Sequence, residues 1–240
     1  MSAQASESHS QIMVKDLVKK YHARPVLNHL FITIDAGALC ILVGDNGVGK
    51  TTMLRILAGL VRPDSGDITL GNTGSSRDPQ HRRRIGYVGH QPMVYQDLTA
   101  IENLIHYARL YQLPQAEKII SESIRAVGLE KYQHQMLRTY SRGMQQRLSI
   151  ARSLLHDPEV LLLDEPYTGL DKQAAQFLDK RLQDLHQQGK TIFLAAHHPQ
   201  RLLPFASHVA WLREGVIAEH IPVQDITEHP DLAAYLQESA

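Results

Sequence analysis

The 240-residue chain reads as an α/β protein: a core with a mainly parallel sheet, an antiparallel β portion, and an α-helical lobe inserted into the core's sequence. Three observations predict this. The runs Ala38–Val43, Val160–Leu163 and Thr191–Ala196 are almost wholly apolar, as strands buried on both faces require. Helical patterns follow or precede them, and strand–helix alternation with buried strands argues a parallel sheet. Between Thr99 and His156 the apolar period becomes that of helices, as in Ile101, Leu104, Ile105, Ala108 and Leu110.

The elements follow in order. Residues 1–10 are polar and read as a disordered leader, so a single domain is expected over 11–240, with its helical lobe at about 92–157. Ile12–Val18 and Leu30–Asp35 mix apolar and polar residues as half-buried strands do. Ala38–Val43 leads into a glycine-rich turn, and Thr51–Leu60 reads as a helix. Pro63-Asp64-Ser65-Gly66 is a turn before a short strand, Asp67–Leu70. The Gly, Ser and Asn content of Asn72–Asp78 predicts a loop. The basic run His81-Arg82-Arg83-Arg84 reads as a solvated loop, with contact to lipid headgroups or a membrane partner as the alternative. Ile85–Gly89 is strand-like. After the lobe come the strand Val160–Leu163, an amphipathic helix Gln173–Gln188 and the strand Thr191–Ala196. Val209–Leu212 and Val216–Ala218 flank Glu214-Gly215 and predict a hairpin. A short helix closes the chain.

Composition excludes several classes. Lys+Arg and Asp+Glu both number 25, so no strong positive field invites nucleic acid, which is not expected as a partner. The lone cysteine, Cys40, excludes an internal disulfide and argues against a cysteine-based zinc site; it reads as a small core residue of a cytosolic protein. The 14 histidines show no metal-ligand spacing. Met1–Ser10 has no signal-like apolar stretch, and no run of about 18 apolar residues is present, so the chain is not expected to span a membrane, though it can sit against one.

Gly44-Asp45-Asn46-Gly47-Val48-Gly49-Lys50-Thr51, followed by Thr52, fits the phosphate-binding P-loop pattern G-x-x-x-x-G-K-[ST]. It follows a buried strand and opens a helix, as that chemistry needs. The glycines let the backbone curl so that N–H groups point at phosphate oxygens, and the helix start adds its positive dipole end. Lys50 supplies a mobile positive charge for the β- and γ-phosphates, and the Thr51 hydroxyl is a ligand for Mg²⁺.

Val160–Leu163 ends in Asp164-Glu165. Such a strand can lie beside the P-loop strand with its acidic end toward a nucleotide. Asp164 is then placed to hold Mg²⁺, directly or through water, and Glu165 to polarise an attacking water. Alone, the pair could equally be a helix cap or a surface pair; the P-loop in the same chain favours the catalytic reading.

Tyr140-Ser141-Arg142-Gly143-Met144-Gln145-Gln146-Arg147 resembles the signature motif of ABC transporter ATPases. Arg142 stands where the commonest form has glycine, and Met144 where it has glutamine; Ser141 and Gly143 remain. By its residues alone the segment is a helix start capped by Ser141. Further parts match in order. Gln91 resembles the Q-loop glutamine that senses Mg²⁺ and water, and Gly169-Leu170-Asp171 resembles the D-loop. His197 resembles the switch histidine at the γ-phosphate, with His198 as a rival; His197 follows two small residues, Ala195 and Ala196, as the family's does. Tyr21 resembles the aromatic that stacks on adenine, although a packing or surface role stays open.

The resemblance runs from Gln11 to about Gly215 and implies an ABC ATPase fold that binds ATP and Mg²⁺. It implies an ATP hydrolase of the translocase class, in which Lys50, Glu165, His197 and Gln91 are catalytic and Thr51, Gln91 and Asp164 surround the metal. It further implies two copies sandwiching two ATP molecules, each between one P-loop and the other copy's Ser141 and Gly143. Integral membrane transporter subunits are the other implied partners, with this subunit peripheral on the cytoplasmic side of the plasma membrane. The wording Gly89-His90-Gln91-Pro92, Asp97–Leu104, Ser-Arg-Gly-Met and Glu165–Asp171 resembles ATPase subunits of haem exporters in cytochrome c biogenesis. Exporters of drugs, lipids or polysaccharides are the alternative, and a non-transport ABC ATPase a remote one.

Overall fold

The computed structural model describes residues 10–22, 24–71, 73–75 and 79–238. Residues 1–9 of the expected leader lie outside them, and Ser10 is buried. Strands β1 (Ile12–Tyr21), β2 (Arg24–Ile34), β4 (Ser65–Leu70) and β5 (Thr73–Ser75) form an antiparallel sheet in the order β2-β1-β4-β5. Strand β5 corrects part of the loop expected at Asn72–Asp78: Thr73 and Ser75 pair with Leu70 and Thr69, extending the sheet by one short edge strand whose β propensity the Gly-Ser composition hides.

The second sheet has six strands, β10 (Val216–Pro222), β9 (His208–Arg213), β3 (Leu39–Val43), β8 (Thr191–Ala195), β7 (Val160–Asp164) and β6 (Ile85–Val88), in that order. All pairings are parallel except β9–β10. That hairpin turns on Glu214 (φ 51°) and Gly215 (φ 82°), both left-handed, as a two-residue turn matching strand twist requires. Strands β3, β7 and β8 are buried throughout. Alternate residues feed two cores. Cys40 and Leu42 face helix α1 (Lys50–Leu57) and the antiparallel sheet, whereas Leu39, Ile41 and Val43 face α6 (Lys172–Gln187) and α7 (Pro230–Glu238).

One expectation about strand order fails. Strand β7 does not lie beside the P-loop strand β3; β8 sits between them and pairs with both. Three equally apolar strands carry no sequence cue to which are neighbours.

The basic run is also corrected. Residues Pro79–Arg83 form a short helix, α2, not a solvated loop. His81 is buried, its Nε2 3.3 Å from the Leu57 carbonyl. Arg84 is held by Glu159, with Nε and Nη2 donating at 2.9 and 2.6 Å, and by the Leu70 carbonyl at 2.9 Å. A forked guanidinium that meets a carboxylate and a carbonyl tethers the segment to the sheet, which leaves only Arg82 and Arg83 exposed.

Between β6 and β7 lie α3 (Ala100–Leu110), α4 (Ala116–Ala126) and α5 (Arg142–Leu154). They share their own core, with Leu104, Ile124, Leu137, Leu148 and Leu155 at its centre. Thr99 and Glu102 close the start of α3 as a reciprocal capping box. Helix α5 also runs close over β6: a Cβ at Gly86 would stand 2.4 Å from the Ser153 carbonyl oxygen, so only glycine fits there.

Candidate nucleotide site

The P-loop leaves β3 at Gly44 (φ 149°), where a Cβ would stand 2.3 Å from the Leu212 carbonyl oxygen of β9. The loop thus crosses the sheet end with no room for a side chain. Asp45, Asn46 and Gly47 are exposed, Val48 packs on the core below, and Gly49 sits under Val26 and Leu27 of β2. Gly49 is the N-cap of α1 and provides no side-chain hydrogen bond. The first amides of α1 therefore keep their capacity to bind an anion.

Lys50 opens α1 and is 5% exposed. Its Nζ donates to the carbonyls of Gly44 at 2.6 Å and Asp45 at 3.0 Å, so the ammonium lies inside the loop's curve. Burial pulls its pKa down, while Glu165, Asp45 and Asp164 oppose that pull and favour the charged form. Thr52, next to Thr51 on the same turn, is half-buried.

Asp164, the last residue of β7, is fully buried. Its Oδ1 accepts the Thr51 hydroxyl at 2.9 Å, and the Tyr87 hydroxyl stands 3.5 Å from Oδ2. Burial raises its pKa; the bond from Thr51 lowers it and the charge of Glu165 raises it. A hydroxyl beside a buried carboxylate is a hard oxygen pair that suits Mg²⁺, and the uncapped loop with Lys50 suits phosphate. The residues present fit both.

Glu165 turns out of the strand at φ 51°, a left-handed conformation costly for a non-glycine residue, while its N–H is held by the Ala195 carbonyl of β8 at 3.1 Å. From that turn its carboxylate meets two histidines. His197 Nε2 lies 2.7 Å from Glu165 Oε1, and His90 Nδ1 lies 3.8 Å from Oε2. The order β3-β8-β7 explains the first contact, since β8 delivers His197 beside the acid that ends β7. His198 is exposed at the same mouth. A cleft of about 1260 Å³ joins Asp45, Glu165, Gly169, His197, Trp211 and Tyr235.

Behind the cleft, one carboxylate ties the two loops together. Asp179 of α6 accepts the Tyr167 hydroxyl at 2.9 Å and Arg201 Nε at 2.8–2.9 Å, and the Arg201 guanidinium lies 5.9 Å from the Tyr167 ring centre. Burial pushes the Tyr167 phenol well up, and Asp179 pushes it further.

The remaining expected residues lie further out. Gln91 is exposed in the loop after β6, and it is His90, its neighbour, that approaches Glu165. Tyr21 is 44% exposed at the end of β1, with the Lys19 ammonium 5.4 Å from its ring centre. Ser141 is the exposed N-cap of α5, its hydroxyl accepting from Met144 N at 3.3 Å. Gly143 has a packing reason as well: a Cβ there would stand 2.9 Å from the Ala174 Cβ of α6. Neither Ser141 nor Gly143 borders the cleft formed by its own chain's P-loop.

The ABC transporter family model matches residues 27–168. This chain belongs to the ABC transporter family. It is 36% identical over 213 residues to the bacitracin transport ATP-binding protein BcrA of Bacillus licheniformis, covering 88% of this chain and 69% of that one. It is 36% identical over 212 residues to the Nod factor export ATP-binding protein I of Burkholderia lata, covering 87% and 70%. With the sulfate/thiosulfate import ATP-binding protein CysA of Mycobacterium tuberculosis it shares 34% over 222 residues, 91% of this chain but only 63% of that one. Among solved structures, an ATP-binding subunit of an ABC transporter superposes with a TM-score of 0.85 at 28% identity over 96% of this chain and 99% of that one. A dimeric ATP-binding cassette in a post-hydrolysis state, bound to ADP and Pi, gives 0.80 at 26% identity over 88% and 98%. The α/β fold is that of the ABC ATPases, and the chain is an ATP-binding subunit of this family.

Two residues of this ABC transporter subunit escape sequence reasoning. His90 reaches Glu165 only because β6 pairs with β7, and Arg142 engages loops far from it in sequence. No local pattern announces either.

Proposed function

We propose that this ABC transporter subunit binds ATP with Mg²⁺ and hydrolyses it by in-line attack of water on the γ-phosphate, powering export across a membrane. The observation that carries this is Glu165, held on a left-handed backbone with His197 at 2.7 Å, beside Lys50 and the Thr51–Asp164 pair. The P-loop amides and Lys50 grip the phosphates. Glu165 orients the water and takes its proton, and His197 holds the carboxylate and faces the γ-phosphate. Mg²⁺, held by Thr51 and Asp164 with Gln91 nearby, supplies charge neutralisation at the phosphate oxygens when bound. Tyr21 stacks on adenine.

Residues 11–240 act as one cassette. Two copies enclose two ATP molecules, each between one P-loop and the partner's Ser141 and Gly143, and membrane subunits dock on the helical lobe at the cytoplasmic face of the plasma membrane. Nucleic acid is not a partner. For the cargo, the motif wording supports haem export for cytochrome c biogenesis. A second reading, export of a drug, lipid or polysaccharide, is favoured by similarity to the bacitracin transport and Nod factor export proteins. A deletion strain that keeps normal holocytochrome c but gains sensitivity to a toxic amphiphile selects the second.

Glu165→Gln in the assembled transporter should keep ATP binding and reduce turnover about 10²–10⁴-fold, the usual worth of general-base chemistry. Parental turnover would remove Glu165 from the mechanism. Tyr21→Ala should weaken ATP binding by up to about a hundredfold, as loss of base stacking does, while Tyr21→Trp preserves it. Equal affinity in Tyr21→Ala assigns the ring to packing.

A further inference from the structure

We propose that Arg142 is a positioning residue that fastens the helical lobe to the nucleotide site of its own chain by gripping two loops at once; this deepens the function proposed above and rests on it. Arg142 opens α5 directly after its cap, Ser141. A cation there opposes the positive end of the helix dipole, and no acidic residue in the first turn offsets it. Its compensation comes from outside the helix. Arg142 Nη2 donates to the His90 carbonyl at 2.7 Å.

On the way, the side chain runs along the D-loop. A Cβ built at Gly169 (φ 73°) would stand 3.6 Å from Arg142 Cγ and 3.8 Å from its Nε. Both loops serve the same acid. The first carries His90, 3.8 Å from Glu165, and the second continues from Glu165 itself. Next to Arg142, Gly143 lets α5 lie close against α6, since a Cβ there would stand 2.9 Å from the Ala174 Cβ.

Glycine, which the family's commonest wording has at this position, has no side chain to reach either loop. A guanidinium offers several N–H groups in a planar fork on a long apolar stem, so it can press on one loop and bond the next. The structure therefore assigns the Arg142 side chain to its own chain's loops rather than to a nucleotide across the dimer, and makes the lobe and the surroundings of Glu165 one mechanical unit.

Hydrogen exchange on the full chain, with Arg142→Ala and Arg142→Lys, tests the contact. Arg142→Ala should speed exchange severalfold in residues 90–96 and 166–171 with β3 and β7 unchanged, and Arg142→Lys should restore part of the protection. Unchanged exchange in both loops overturns the proposal. In the assembled transporter, Arg142→Ala should lower kcat about tenfold, the worth of one charge-assisted hydrogen bond, with KM for ATP within about twofold. A raised KM at parental kcat would mean that Arg142 binds nucleotide, and an unaltered kcat that it positions nothing; either overturns it. If the parental transporter hydrolyses no ATP, the proposed function falls, while the exchange measurement, which needs no ATP, still decides whether Arg142 grips the loops.

Discussion

Two helix starts in this chain carry serine- or glycine-led motifs, and they are built in opposite ways. Helix α1 begins at Gly49, whose φ of 121° and missing side chain leave its first amides uncapped. Helix α5 begins at Ser141, whose hydroxyl already accepts from Met144 N. A side-chain cap is worth about 1 kcal/mol, so leaving α1 without one costs stability in exchange for amides that a phosphate can use. The start of α5 has one of its amides capped without any ligand. The first is a receptor whose stability depends on what it binds; the second is a rigid face to be presented to something else.

The largest break in this contrast should come at α1. Lys50→Ala removes the ammonium that threads the loop, and ATP affinity should fall by about ten- to a hundredfold, since hydrogen bonds to charged groups are worth about 1.5–3 kcal/mol. Titration with a fluorescent nucleotide measures this, and affinity within about twofold of the parent would show that the amides alone carry binding.

The contrast is sharpened by Ser141→Asp. Aspartate caps as well as serine and suits the helix dipole, so the melting temperature should hold or rise, whereas Ser141→Ala should cost about 1 kcal/mol. Yet a carboxylate on a face that meets phosphate should suppress ATP-driven pairing of Glu165→Gln subunits in the assembled complex, read by inter-subunit cross-linking. Undiminished pairing would mean that the α5 start faces no phosphate.

The effect most remote from both helix starts lies beyond the far end of α5. His156 stacks on Tyr111, ring centres 3.9 Å apart at 8°, with Nε2 3.2 Å from the Ile85 carbonyl. Burial, only partly offset by that bond, lowers its pKa to about 4. The fold thus favours neutral imidazole: the contribution is complete above about pH 6.5 and is lost as pH falls from 6.5 toward 4. His156→Phe keeps the stack and removes the titration, so its urea stability should decline less over that window, by about 2 kcal/mol. Parallel pH profiles for the two proteins would assign the acid loss elsewhere.

What the sequence disclosed divides along the same line. The P-loop, the acid pair and the Ser141 cap are local chemistry, written in consecutive residues, and each is legible without knowing any neighbour. Strand order is not local. Leu39–Val43, Val160–Asp164 and Thr191–Ala195 are alike in burial, so nothing in them says that β8 parts the other two. That arrangement is what brings His197 to Glu165, and the β6–β7 pairing adds His90, a residue that reads in sequence only as a polar loop position. His81 is hidden for a related reason: an arginine run reads as solvent-facing, yet this ring is buried with Nε2 3.3 Å from the Leu57 carbonyl. Arg142 could be seen as a departure from the family's wording, but the carbonyl it bonds and the glycine it lies beside belong to loops about 50 residues upstream and about 27 downstream.

Cys40 lies wholly buried in β3 at the middle of the six-stranded sheet, and burial pushes its thiol far above the ordinary range. Native Cys40 should therefore react with thiol reagents only when the central strand separates from its neighbours. The chain carries a built-in stopwatch: the rate at which Cys40 takes up a label times the rarest opening of the fold, while engineered thiols on the surface report the fast motions around the nucleotide without interference from it.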